Sequence, residues 1–312
     1  MSSFDIIGAP VAGLRAALHA PAAPAPDAVA LEPLPWFAFE VLASRGCRPA
    51  AVRIARRAER AYWVLRQALD TTPRLRLMVL DRAAWPATAD APDYGVMHVD
   101  AEGNLVVGAT PALAWTGISA WLAEHLDART LAGLVRVHGR DLRTRGPALA
   151  DVADSLIAHE IAHLIAGQVG ARFPRRWLAE AFANYAMVAV LGETDPIGLR
   201  RLGALAEAAE TVAHHLPRQD EFEAGTSLDI MPSVLAQLAL TRGAYDAYAA
   251  AQATPLLRLL RLFREPVVAG AARLVPASPT DAELERLLAV HVHPAVAAIP
   301  QRLPVAPHRA AA

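Results

Sequence analysis

Apolar positions recur at helical spacing along most of this chain, and alternate in only one short region. From Trp36 the pattern is helical and, with a break at Gly46 to Pro49, continues through AVRIARRAERAYWVLRQALD. Arg74 to Asp81, RLRLMVLD, alternates and then runs apolar, which predicts a strand. Two more strands are predicted at Tyr94–Val99 and Asn104–Ala109, joined by the turn Asp100-Ala101-Glu102-Gly103. Helical spacing then returns over 111–127, 129–138, 151–168, a stretch starting at Asp195-Pro196, and 231–242, 243–253, 256–264 and 280–290. The expected fold class is α+β: a small, mostly antiparallel sheet, a pair of helices, and a C-terminal helical bundle. Three regions follow: a proline- and alanine-rich arm over 1–35, a main domain over 36–192, and a helical subdomain over 193–312.

The stretch with the most chemistry is Asp151–Gln168, DVADSLIAHEIAHLIAGQ. Val152, Leu156, Ile157, Ile161, Leu164 and Ile165 give one helix a core face, with Asp151 or Asp154 as its N-cap. His159 and His163, four apart, lie one turn apart on the same face, where their ring nitrogens can meet at one metal ion. Glu160 is rotated off that line, placed to reach a water on the metal without binding the metal itself.

A catalytic zinc needs a third protein ligand and leaves its fourth position for water. Trp177–Tyr185, WLAEAFANY, supplies a second helix with Glu180 in its first turns. Together, HEIAH and this block resemble the gluzincin metallopeptidases, and the second segment looks most like the W-L-x-E-[GA]-F-A-x-Y block of their aminopeptidase N-like branch. The resemblance implies a zincin-like fold over 36–192, a Zn2+ cofactor held by His159, His163 and Glu180, and Glu160 as general base. It also implies that Asn184, one turn after Glu180, orients His159 through its Nδ1 proton. The connection of sixteen residues between His163 and Glu180 is slightly shorter than in that branch, and Ala179 stands where the branch usually has asparagine. Gly167, Gly170 and Pro174 still permit a tight turn there.

The strand Gly95-Val96-Met97-His98 compares with the family's G-x-M-E-N strand, but His98 replaces the glutamate that holds a free amino terminus. The resemblance therefore does not imply an exopeptidase, and His98 reads as a strand residue facing solvent. For the oxyanion-stabilising group, the family uses a tyrosine or histidine further along. Tyr245 is the candidate by its distance from Glu180, with Tyr248, His214 and His215 behind it. The H-x-H pair His291 and His293 reads as surface, lacking a third ligand.

Composition narrows the partners. Thirty basic and thirty-one acidic residues nearly cancel, which removes any bulk electrostatic case for nucleic acid or an anionic membrane. The arginines of the first helix, Arg53, Arg56, Arg57 and Arg60, read as a solvated face. Cys47 is the sole cysteine, so no intrachain disulfide forms, and it reads as a small hydrophobe. Without a signal-like N-terminus or a long apolar run, a cytoplasmic location is expected. The functional expectation is a zinc-dependent hydrolase, a metallopeptidase acting on a peptide or protein. Two alternatives stay open: a gluzincin-fold binding module without activity, and a zinc hydrolase of a small-molecule amide or ester.

Overall fold

Just after Trp36 the chain departs from the helical expectation. Leu31–Pro33 (β1) and Glu40–Ser44 (β2) form an antiparallel pair, with Leu31 opposite Ser44. The computed structural model describes residues 31–88, 93–212, 230–264, 275 and 279–303. Val41 and Ala43 of β2 are buried on one face, an alternation too short to stand out beside the long helix that follows. Gly46 turns the chain with φ +86°, and Pro49 opens α1 (Arg48–Ala68). That helix buries Ala51, Ile54, Ala55, Ala58, Tyr62 and Leu65, leaving Arg53, Arg56 and Arg60 exposed as expected.

Among the described residues the sheet has five strands in the order β1-β2-β3-β5-β4, with β3 at Arg76–Leu80, β4 at His98–Val99 and β5 at Leu105–Gly108. β2–β3 and β3–β5 are parallel, while β1–β2 and β4–β5 are antiparallel. The sheet is therefore mixed, not mostly antiparallel. The reason is α1, a crossover helix that returns the chain to the starting end of β2 before β3 begins. The predicted β4–β5 turn forms: Asp100 Oδ1 accepts from the amides of Glu102 and Asn104, and Gly103 takes φ +82°.

The helices that follow are α2 (Trp85–Thr88), α3 (Ala114–His125), α4 (Ala128–His138), α5 (Ala150–Ala153), α6 (Leu156–Gln168) and α7 (Arg176–Thr194). Then come α8 (Pro196–Glu210), α9 (Ile230–Ala251), α10 (Thr254–Phe263), α11 (Asp281–His291), α12 (Pro294–Ala297) and a final 3-10 turn, Ile299–Arg302. Local chemistry sets several starts. Asp127 caps α4, Asp195 caps α8, and Thr280 with Glu283 makes a capping box on α11. The two helices expected over 231–253 are one, because Gly243 does not break α9 but lets it approach Ile299.

One hydrophobic core runs from Leu34 to Leu303, crossing the boundary expected near 192, and α9 docks on α7. A smaller cluster of Met78, Leu80, Ala84, Trp85 and Val106 covers the other sheet face. Among the described residues no helix is long and apolar enough to cross a membrane.

Candidate metal centre

The expected helix over 151–168 is two helices, α5 and α6, separated at Asp154 and Ser155. Asp154 is no N-cap; it is buried and accepts from Arg53, with Arg57 Nη1 3.4 Å from the same Oδ2. Burial raises its pKa, against the pull of the two guanidinium groups. α6 packs along α7, and Ile157, Ile161, Leu164 and Ile165 of the one share a buried core with Leu178, Phe182 and Tyr185 of the other.

That packing brings His159, His163 and Glu180 together. Nε2 of His159 lies 3.0 Å from Nε2 of His163, and Glu180 Oε2 lies 3.3 Å and 3.5 Å from the same two nitrogens. Tetrahedral ligands at about 2.0–2.2 Å from an ion sit roughly 3.3–3.6 Å from one another; the two edges to Glu180 fall in that range and the edge between the histidines is shorter, a group that could close on a metal ion. Among the described residues this is the group of His, Cys, Asp and Glu side chains placed to hold a metal ion.

The electrostatics are those of a buried ligand set. Burial lowers the pKa of His159. Burial also works against His163, but Glu180 and Glu160 raise its pKa. Burial opposes ionisation of Glu180, yet the two histidines drive its pKa well below the carboxylate range. Glu160 differs: it is 1 % exposed, desolvation pushes its pKa up to about 8, and its Oε1 has no hydrogen-bond partner. A carboxyl left uncompensated in this way is expected where a positive charge or a polar substrate group completes the site.

A second layer holds Glu180. Gln237 on α9 donates from Nε2 to Glu180 Oε2 at 2.8 Å, and Asn184 Nδ2 donates to Gln237 Oε1 at 2.9 Å. The Thr241 hydroxyl lies 2.8 Å from the Gln237 carbonyl and 3.2 Å from Asn184 Oδ1. Asn184 lines the cleft with His159 and Glu180. Its amide is spent on Gln237 and Thr241, however, and His159 Nδ1 makes no hydrogen bond. Sequence reasoning missed Gln237 and Thr241. Their signal was two polar residues one turn apart in an apolar run, VLAQLALT.

A cleft enclosing about 1120 Å³, open mouth included, adjoins His159, Glu180, Asn184 and Gln237. Gly95, Val96 and Met97, which lead into the edge strand β4, form part of its wall, and β4 packs near α6. Tyr245 is not among the residues lining it; its ring packs on Gly203 of α8 under the Arg242 guanidinium. The Tyr248 hydroxyl packs against Gly192 of α7, while His214 and His215 lie outside the described residues. His98 does not face solvent: it is 2 % exposed, edge-on to Trp85, with Nδ1 2.9 Å from the Val96 carbonyl. His293 caps α12 and His291 is exposed, which leaves that pair outside any ligand group. Comparison of the chain with protein-family models, curated proteins and solved structures returns no match.

Proposed function

We propose that this protein is a zinc-dependent hydrolase of the gluzincin type that cleaves peptide bonds. The observation that carries the reading is the convergence of His159 Nε2, His163 Nε2 and Glu180 Oε2 within 3.5 Å, with the buried carboxyl of Glu160 beside them. His159, His163 and Glu180 would hold the zinc ion, which would supply Lewis acidity to polarise a carbonyl and to lower the pKa of water to about 7.

The chain's own groups do the rest. Glu160, the residue after His159, takes the proton of the attacking water on a carboxylate oxygen and returns it to the leaving nitrogen. Its burial keeps bulk water from competing for that proton. Glu180 stays ionised because both imidazoles face it, and Gln237 fixes the oxygen it presents. The Gly95–Met97 segment, which lines the cleft and leads into the edge strand β4, would offer backbone groups to an extended peptide. No role falls to Tyr245, which packs between α8 and α9.

Glu160→Gln tests this reading. The variant is expected to keep its metal and its fold while losing at least a thousandfold in kcat/KM on a peptide substrate identified with the parent protein. Hydrolysis at the parental rate contradicts the assignment.

A further inference from the structure

We propose that the cleft selects the C-terminal end of a short peptide. In this reading an apolar side chain fills the cleft, and the free carboxylate, one or two residues beyond the scissile bond, is bound by Arg53. The inference rests on the hydrolase reading and adds a substrate class to it.

The cleft wall is apolar over most of its extent, built from Met97, Trp115, Ile118, Val152, Met187 and Leu238 among others. Such a wall gains free energy from an apolar side chain and loses it with a charged one. Polar groups enter it in two places. One is the ligand group with its supporting amides, and the other is Arg53 with Asp154.

At the second place the charges do not balance. Asp154 Oδ2 is met by both Arg53 and Arg57, so two guanidinium groups face one carboxylate. Asp154 and Glu180 are the acidic residues lining the cleft, and Glu180 belongs to the ligand group. The Arg53 side chain is 47 % exposed, and one nitrogen contacts Asp154, leaving further N–H donors for a second carboxylate. The two places line the same cleft and are close along the chain. Asp154 precedes His159 by five residues of near-helical backbone, a rise of roughly 7–8 Å. That rise is comparable to about two extended peptide residues. Arg53 and the ligand group thus share one cleft on the scale that a short peptide spans.

The test uses the full-length Glu160→Gln protein, which does not turn substrate over, titrated calorimetrically with N-acetyl-phenylalanyl-leucine and with its C-terminal amide. The acid is expected to bind at least tenfold tighter than the amide. Replacing its leucine by aspartate is expected to weaken binding tenfold or more. Adding Arg53→Gln should erase the preference for acid over amide. Adding Asp154→Asn instead should strengthen binding of the acid, because it removes the competing carboxylate; a merely structural ion pair predicts the opposite. Equal binding of acid and amide, a preference that survives Arg53→Gln, or no binding at all overturns the proposal. Failure of the parent reading looks different: acid preference without metal or hydrolysis sinks the hydrolase alone. Equal cleavage of free and amidated peptides sinks this inference alone.

Discussion

Glu180 Oε2 has three polar neighbours: the two histidine nitrogens and the amide of Gln237. A carboxylate oxygen has lone pairs enough for one ion and one N–H donor, so Gln237 fixes the orientation of the ligand without competing for the metal. Gln237→Leu is expected to weaken zinc binding ten- to a hundredfold, read by competition with a chelator of known affinity. An unchanged affinity contradicts a positioning role. The three residues of the group were legible in the sequence, His159 and His163 by helical spacing within HEIAH and Glu180 only through the family resemblance that WLAEAFANY carries. Gln237 was not legible, since it meets Glu180 across fifty-seven residues and only after α9 has docked on α7.

The same contrast holds for the elements. A long helix with a buried stripe, α1 above all, is visible as periodicity, and the Asp100–Gly103 turn is visible in its residues, whereas α7 is buried almost all round and was found through the WLAEAFANY block instead. β2 is not visible: five residues beside a helix of twenty-one give too little alternation to outweigh it. Strand direction was equally hidden, because it depends on which side α1 returns the chain rather than on any residue of β3.

Helix docking carries a pH signature. His138, at the end of α4, donates from Nε2 to the Arg201 carbonyl on α8 at 3.0 Å, and burial lowers its pKa from the ordinary 6.5. A depressed folded-state pKa means that the unfolded chain binds the proton more tightly. The stability contributed is therefore present above about pH 6.5 and is lost as pH falls through the folded-state value. Urea midpoints measured from pH 7.5 to pH 5 are expected to decline, and His138→Gln to decline less steeply. A parallel decline in the variant assigns the effect to other groups.

Across the whole molecule, one core links the sheet, the ligand helices and the C-terminal helices. The C-terminal half therefore does more than flank the sheet and the paired helices: α9 delivers Gln237 and Thr241 to the site and lines the cleft with Leu238. Composition gave no hint of this, since the charge balance and the single cysteine bound the partners but not the packing. Because the ligand group is assembled by folding, an ion bound there stabilises the fold, by about 4 kcal/mol at a thousandfold excess over Kd. The most direct measurement is the zinc content of the purified full-length protein by elemental analysis, beside that of Glu180→Ala. One zinc per chain in the parent and none in the folded variant is the result this account predicts. A folded parent that holds no zinc, even after zinc is added back, would contradict it.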